Sequence, residues 1–224
     1  KMLSDIEIIK QSKMKKIILS IIVIAFTLPT FAQLNMSGTD YKKQYMYYYG
    51  LRLGLSVSAI SSDDDMLDGG NPQVGLNVAA LIGFQLSPTA PIYFETGLYY
   101  TEKGGKGKIK GNKFTYDLNY LEVPLVAKYK YTVDGEFSVQ PFAGGYLAYG
   151  INGKYKDYKN RISESSFSSD TFKRFDGGLR FGCGFEYETI YGEFAYDWGL
   201  ANICHDEFDR TTNGCFSINF GVNF

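Results

Sequence analysis

The stretch that decides the fold is residues 215–224, CFSINFGVNF, in which apolar and small polar side chains alternate. A period of two is typical of a β-strand with one apolar and one polar face. The intervening positions are Ser, Asn and Gly, which leaves the second face small and polar. The apolar set is Phe216, Ile218, Phe220, Val222 and Phe224.

Seven further segments repeat this alternation, and no helical pattern of useful length follows residue 32. A chain of 224 residues suits one domain of ordinary size. Eight strands joined in sequence predict an all-β fold, an antiparallel up-and-down barrel, with a β-sandwich as the alternative. The predicted strands span residues 48–59, 73–86, 92–103, 113–131, 137–152, 173–188, 190–200 and 215–224.

The connections between these strands alternate between long and short. Transmembrane barrels have tight periplasmic turns and long extracellular loops. We therefore predict an eight-stranded transmembrane β-barrel in the outer membrane, with a soluble lipocalin-like barrel as the alternative. The long connections are 60–72, 104–112, 153–172 and 201–214, and the short ones are centred on 87–91, 133–135 and 188–189.

The polar face carries charges of both signs. An eight-stranded barrel is just wide enough for side chains to fill it, and buried charges are tolerated when they are paired. We expect an interior charge network formed by Arg52, Glu95, Glu122, Lys128, Asp176, Arg180, Glu186, Glu193 and Asp197. Tyr47, Tyr48, Tyr49 and Phe224, at strand ends, fit an aromatic girdle at the membrane interface.

The N-terminal region has the layout of an export signal. Lys15 and Lys16 precede an apolar stretch at 17–28, and small residues at 30 and 32 form a small-x-small cleavage signal before Gln33. We predict an upstream extension at 1–13, a signal peptide at 14–32, a periplasmic lead-in at 33–47 and a barrel at 48–224. The chain has 23 basic and 24 acidic residues, and removing residues 1–32 takes away five and two of these, leaving a net charge of −4. This balance does not indicate nucleic acid as a partner.

One motif carries a family resemblance. Residues 120–129, YLEVPLVAKY, resemble a signature of the PorT-like outer membrane β-barrel proteins, carried by Tyr120, Leu121, Glu122, Pro124 and Leu125. The resemblance implies the barrel fold and, in one branch of the family, an accessory role in type IX protein secretion. Phe224 is similar to the C-terminal signal read by the barrel assembly machinery, which is then an expected partner during insertion.

The lysine-rich stretch 104–113, GGKGKIKGNK, is not a nucleotide site, because it lacks the P-loop spacing and no helix follows it. The barrel topology predicts an extracellular loop here. Its lysines could contact the phosphates of lipopolysaccharide, or the loop could simply be solvated. The candidate contacts are Lys103, Lys106, Lys108, Lys110 and Lys113.

The remaining candidate sites are weaker. Asp63, Asp64, Asp65 and Asp68 cluster in the first long connection, but they lack the order of a calcium loop, and a solvated loop is the alternative. A zinc site or a catalytic site at His205 would need further ligands or partner groups, and His205 is the one histidine in the sequence. Neither site is predicted there. We predict no metal and no cofactor.

The chain has three cysteines. Exported proteins form disulfides where geometry permits, and Cys204 and Cys215 flank the last long connection, so a disulfide between them is predicted. Cys183 lies in the lipid-facing register and is expected to stay a thiol.

We predict a non-enzymatic integral outer-membrane protein with a structural or envelope-interaction role. The expected partners are outer-membrane lipid and lipopolysaccharide, with secretion-system proteins as further candidates. A narrow pore for small solutes is the alternative, and an enzyme with its site at the barrel rim is the third reading. No convergent acid, base and nucleophile set supports the third.

Overall fold

The computed structural model describes residues 47–62, 69–109, 111–160, 162–167, 172–204 and 210–224. No helix in these ranges is long and apolar enough to cross a membrane. In chain order the strands of these ranges are β1 (Tyr47–Ser62), β2 (Gly69–Gln85), β3 (Ile92–Ile109), β4 (Asn112–Tyr129), β5 (Tyr131–Asp134), β6 (Phe137–Asn152), β7 (Lys154–Asp157), β8 (Ile162–Ser165), β9 (Phe175–Tyr187), β10 (Ile190–Gly199) and β11 (Thr211–Asn223).

Eight of these strands close into a barrel. β1 to β4 pair in sequence, β4 pairs with β6, and β6, β9, β10 and β11 continue the ring, every pair being antiparallel. β11 pairs back onto β1 from Gly50↔Asn223 to Ser62↔Thr211, which closes the ring. The predicted eight-stranded antiparallel barrel is confirmed.

The two faces of the barrel have opposite chemistry. On β11, Phe216, Ile218 and Phe220 are exposed on the outside, whereas Ser217 and Asn219 are buried inside. The same alternation runs along β10, where every second residue is buried. An apolar outer face and a polar inner face are typical of a barrel embedded in lipid. They are the reverse of a soluble lipocalin-like barrel.

The predicted length of one connection is wrong. β3 continues to Ile109 and β4 begins at Asn112, so the stretch 104–113 is the end of a β-hairpin and not a long loop. Pairing is continuous from Lys103↔Leu118 to Ile109↔Asn112. Gly111, with φ 84, adopts a conformation that favours glycine and allows the tight turn.

The predicted long connection at 153–172 contains two short strands. β7 pairs with the first part of β4, and β8 pairs with β7, so a small sheet rises beyond the barrel on this side. At the opposite end of the barrel the turns are tight, with Glu188 at φ 53 and Gly135 at φ 33. The end with the small sheet is therefore the predicted extracellular end.

Residues 1–46 lie outside the described ranges. The predicted upstream extension at 1–13, the signal peptide at 14–32 and all but the last residue of the lead-in at 33–47 therefore stay predictions.

A test of lipid embedding uses two isoleucines that are equally exposed. Ile218 lies on the outer face of β11 and is 46% exposed, and Ile162 on β8 is 42% exposed. We expect Ile218→Arg to lower the free energy of unfolding by about 2–4 kcal/mol, because the guanidinium would sit in hydrocarbon. Urea titration of the protein in lipid vesicles measures this.

The matched control is Ile162→Arg, which lies beyond the barrel and is expected to change the free energy of unfolding by less than about 0.5 kcal/mol. Equal effects of the two substitutions would contradict a lipid-facing β11.

Candidate functional site

The lumen of the barrel is filled by charged side chains. All nine residues predicted for the interior network are buried there, and the structure adds a tenth, Lys103. The prediction that Lys103 lies in an extracellular loop is wrong, because β3 runs on through this position and its side chain points inward. The buried set is Arg52, Glu95, Lys103, Glu122, Lys128, Asp176, Arg180, Glu186, Glu193 and Asp197.

Glu122 on β4 holds the centre of this network. Its Oε2 lies 2.7 Å from Lys103 Nζ, and its Oε1 accepts a hydrogen bond of 2.8 Å from Arg180 Nη1. Asp197 on β10 accepts from the same Arg180 nitrogen at 2.9 Å and lies 3.5 Å from Lys103. Two bases and two acids from four strands therefore neutralise each other across the lumen. We call Lys103, Glu122, Arg180 and Asp197 the central cluster.

A second charged layer lies towards the end with the tight turns. Lys128 Nζ is 2.7 Å from Glu95 Oε2 and donates to Tyr191 at 2.8 Å. The guanidinium of Arg52 stacks on the Tyr191 ring, 3.8 Å from its centroid. Tyr48 also donates to Glu95, so its predicted place in the aromatic girdle is wrong, whereas Tyr47 is exposed on the outside.

The last strand and the turn after β4 supply further partners in this layer. Asn223 accepts a hydrogen bond of 2.6 Å from Arg52 Nη2 and donates to Glu186. Lys130, which is more exposed, forms an ion pair with the same Glu186. The sequence analysis did not predict that Lys130, Asn223 and Tyr191 belong to this layer. Their partners lie far away in the chain, and the local sequence pattern does not indicate such contacts.

The predicted extracellular end of the lumen is closed by a hydrophobic plug. Phe167 and Phe172 from the connection after β8, and Ile203 and Cys204 from the connection after β10, pack inside the strands. The two connections are joined by the bridge Phe172↔Cys204. Barrel residues of the plug are Ile60, Phe114, Tyr116, Leu118, Tyr120, Tyr146 and Ala148.

Lys103 connects the plug to the central cluster, because its Nζ lies 4.2 Å above the Tyr146 ring. Gly150 makes room for the plug: a Cβ at this position would lie 2.3 Å from the Phe167 ring. Among the described residues the lumen is therefore filled at three levels, by two charged layers and the plug.

The outer side of β3, β4 and β7 carries lysines at the predicted extracellular end. Leu125 and Val123 face outward on β4, and the same face continues through Asp117 and Thr115 to Lys113. Cross-strand pairing places Lys106 beside Thr115 and Lys108 beside Lys113. The apolar outer band of β4 is thus followed directly by basic side chains.

β7 extends this basic surface. Tyr155 stacks inward on Phe114, with ring centroids 5.8 Å apart, so the neighbouring Lys154 and Lys156 face outward. Lys156 donates a hydrogen bond of 2.8 Å to Asp117, and this bond raises the pKa of Lys156 above its ordinary value. We call Lys106, Lys108, Lys113, Lys154 and Lys156 the lysine face.

Comparison with known protein families shows which family this chain belongs to. A family model described as outer membrane protein beta-barrel domain matches residues 31–205, more than half of the chain. This chain belongs to the outer membrane protein beta-barrel domain family. Its location is the outer membrane, in agreement with the apolar outer face of the barrel. The family match does not single out the PorT-like group, which stays a prediction.

Three solved structures of outer-membrane proteins are similar to this chain at low identity. Ail, the attachment invasion locus protein of Yersinia pestis, in complex with the heparin analogue sucrose octasulfate, is 14% identical, with coverage of 80% of this chain and 100% of Ail and a TM-score of 0.43. Neisserial surface protein A is 13% identical over 79% of this chain and 97% of its own, with a TM-score of 0.45. A major outer membrane protein from Thermus thermophilus is 12% identical over 80% of this chain and 100% of its own, with a TM-score of 0.48. No curated protein sequence matches the chain.

The motif that suggested the PorT-like group lies on β4 of this outer membrane barrel. Tyr120 and Glu122 point into the lumen, and Leu125 is exposed to lipid. Pro124 has no backbone N–H to donate to the ladder, and pairing between β3 and β4 is interrupted between Leu125 and Glu122. The motif therefore combines a lumen charge, a break in the ladder and a lipid contact. Its remaining member, Leu121, is half-buried on the outer face.

The cysteines of the barrel are all thiols, so the predicted disulfide between Cys204 and Cys215 is not formed. Both side chains are buried, but Cys204 packs in the hydrophobic plug, whereas Cys215 on β11 lies opposite Asp197 of the central cluster. Cys183 is half-exposed on the lipid-facing side of β9.

Of the other predicted site residues, one is exposed at the surface and the rest lie outside the described ranges. Phe224, the predicted assembly signal, is exposed. No group of three or more His, Cys, Asp and Glu side chains within the described ranges could hold a metal ion. Outside the described residues lie Asp63, Asp64, Asp65, Asp68, Lys110 and His205.

Removing the central carboxylate tests the network. We expect Glu122→Gln to lower the free energy of unfolding by about 3–5 kcal/mol, because Lys103 and Arg180 would keep buried charges with one counter-charge fewer. Urea titration in detergent micelles, followed by heat-modifiable electrophoretic mobility, measures the loss. The control is Glu164→Gln on the exposed β8, which should leave the midpoint unchanged. Equal midpoints for the two variants would show that the central cluster does not stabilise the barrel.

Proposed function

We propose that this protein is a non-enzymatic, non-conducting outer-membrane barrel that binds lipopolysaccharide phosphates through its lysine face, which gives it a role in envelope interaction. The observation that carries the proposal is the position of the lysine face, directly above the lipid-facing band of β4. Two steps support it, one from the lumen and one from the outer surface.

The packing of the lumen supports the proposal that the barrel does not conduct ions. Ions need a continuous polar path, and the central cluster consists of charges already paired at 2.7–2.9 Å. Moving these groups aside would leave buried charges uncompensated. Above them the plug residues Phe167 and Phe172 are buried and apolar. The narrow-pore alternative would require both levels to open together.

A conductance measurement tests this part. Protein reconstituted into planar bilayers is expected to carry no steady current. The variant with Phe167→Ala and Phe172→Ala is expected to stay closed too, because the central cluster below the plug still fills the lumen. Insertion is verified by protease protection of the same bilayers. A steady open current from the unaltered protein would favour the pore.

The outer surface of the barrel supports the proposal that the lysine face binds lipopolysaccharide phosphates. Lysine is a point-charge binder of phosphate, and basic residues close to an anionic membrane surface contribute about 1 kcal/mol each. Lys106 and Lys108 project from β3 in the same outward direction as Lys113 from β4. Strands hold these side chains in a fixed row, so they meet the headgroup layer without first ordering a loop.

Neutralising three lysines tests the binding part. The variant with Lys106→Gln, Lys108→Gln and Lys113→Gln should bind lipopolysaccharide at least tenfold more weakly, since three contacts of about 1 kcal/mol are lost. Isothermal titration calorimetry in detergent measures the affinity. The control carries Arg at the same three positions, keeps the charge and should bind like the unaltered protein. Unchanged affinity of the Gln variant would remove the lysine face from the function.

Two other readings of the sequence, the secretion accessory and the rim-sited enzyme, stay predictions. Within the described part of the chain, no contact favours either over an envelope-interaction role.

A further inference from the structure

We propose that the lysine face binds phosphate groups on the core sugars of lipopolysaccharide, and that the exposed ring of Tyr158 packs against one of these sugars. This assignment rests on the proposed function, because it uses the same lysine face. It adds which part of the glycolipid is bound and which residue contributes to specificity. The competing ligand at this face is the phosphate of lipid A, which lies at the boundary of the hydrocarbon.

The membrane boundary on β3 and β4 lies near Tyr100 and Leu121, which are cross-strand partners. Towards the start of β4, Leu121 is the last apolar residue on the outer face of the strand. Tyr100 donates a hydrogen bond of 3.0 Å to Glu102 Oε1, so its ring lies next to Leu121 while its hydroxyl contacts a carboxylate. A tyrosine with an apolar body and a polar partner is typical of a membrane interface.

The first level above this boundary carries carboxylates instead of lysines. Glu102 lies opposite Asn119, and Asp117 follows on the outer face of β4. Glu102 Oε2 accepts a hydrogen bond of 3.0 Å from the backbone N–H of Leu76, which fixes its carboxylate at this level. A lipid A phosphate at this height would face the Glu102 carboxylate, and like charges repel.

The lysines begin further from the boundary. Thr115 is six residues beyond Leu121 on β4, and its cross-strand partners are Lys106 on β3 and Lys156 on β7. Six residues of a strand tilted by about 40° cover about 20 Å along the strand and about 15 Å along the membrane normal. Core sugars occupy this height above lipid A, so their phosphates meet the lysine face.

The lysines beside Thr115 converge on one position. Neighbouring strands are about 4.8 Å apart, so the Cα atoms of Lys106 and Lys156 are about 10 Å apart across Thr115. Two lysine side chains at this separation both reach a phosphate that lies over Thr115. The hydrogen bond from Lys156 to Asp117 uses one N–H donor of its ammonium group, which leaves two donors for a ligand.

Tyr158 adds an aromatic surface at the same face. Its backbone N–H donates to the Lys113 carbonyl at 3.2 Å, which places it beside that lysine. The hydrogen bond to Asp117 is the main cause of the raised pKa of Lys156, and the Tyr158 hydroxyl also raises this pKa. The ring therefore lies on the side of Lys156. Tyr158 is 59% exposed, so its ring is accessible to a ligand.

The turn after β7 holds this ring in place. Asp157 Oδ1 accepts hydrogen bonds from the two backbone N–H groups that follow Tyr158, at 2.9 and 3.2 Å. A tyrosine on a fixed turn offers a large contact area at a low cost in conformational entropy. The C–H face of a pyranose ring is flat and apolar, and it is complementary to such a ring. Ser163 on β8 lies opposite Lys156 and adds a hydroxyl that hydrogen-bonds sugar oxygens.

The test compares lipopolysaccharide that carries phosphorylated core sugars with lipid A released from it by mild acid hydrolysis. Isothermal titration calorimetry in detergent measures both affinities. The unaltered protein should bind the lipopolysaccharide at least tenfold more tightly than lipid A. Tyr158→Ala should weaken the binding of lipopolysaccharide at least fivefold and leave the binding of lipid A unchanged. Tyr158→Phe keeps the ring and should bind like the unaltered protein.

The matched control is Tyr131→Ala. Tyr131 on β5 is 58% exposed and lies at the end of the barrel with the tight turns, so its loss should leave both affinities unchanged. A second measurement uses only the unaltered protein, and it stays valid if Tyr158→Ala fails to fold. The phosphorylated core oligosaccharide from the same hydrolysis should displace lipopolysaccharide, and the same oligosaccharide without its phosphates should compete at least tenfold less well.

The outcomes separate this site from the proposed function. Equal affinity for lipid A and lipopolysaccharide, with both lost in the variant with Lys106→Gln, Lys108→Gln and Lys113→Gln, would overturn the core-sugar site and leave the proposed function standing. Unchanged binding of lipopolysaccharide by Tyr158→Ala would overturn the packing of a sugar on this ring. If the lysine variant binds lipopolysaccharide like the unaltered protein, the proposed function fails and the core-sugar site fails with it.

Discussion

The ion pairs of Glu122 with Lys103 and Arg180 are the interaction on which the rest of this barrel depends. Lipid excludes polar side chains from the outer face, so the strands must turn their charges inward. Charges inside a narrow barrel are costly unless each meets a counter-charge at short range. Glu122 meets two, one from β3 and one from β9, at 2.7 and 2.8 Å. The pairing therefore ties distant strands together through their centre.

A lumen filled in this way leaves the protein only its outer contour for contact with other molecules. That contour is uneven, because the strands differ in length. β3 and β4 have 18 residues each, whereas β10 has 10, close to the minimum that spans a bilayer. The difference between 18 and 10 residues extends roughly 25 Å along the strand. The long strands β3 and β4 carry the lysine face, whereas β10 ends at Gly199.

The sequence predicted the barrel and the direction of its side chains, because a period of two is a local property that needs no partner. It failed for residues 104–113, where glycine and lysine suggested a loop. In the hairpin, glycine permits a close approach of two backbones: a Cβ on Gly105 would lie 2.1 Å from the carbonyl oxygen of Gly69, which is far away in the sequence. Lys103 is the last residue of the predicted strand 92–103 and shares the odd register of Glu95, Tyr99 and Thr101, so following that register to its end would have placed Lys103 inside.

The plug, and a shallow groove on the outer wall at Gly145 and Gly177, were not predictable from the sequence for a related physical reason. Phe167, Phe172 and Ile203 lie in connections without periodicity, and only the folded chain brings them together over the lumen. Gly145 and Gly177 read as ordinary strand glycines until pairing places them on neighbouring strands, with Leu147 opposite Gly177. A missing side chain on one strand is a small gap, but two on adjacent strands form a groove. Cross-strand register, which sequence period alone does not fix, therefore decides where the outer wall of this barrel has a groove.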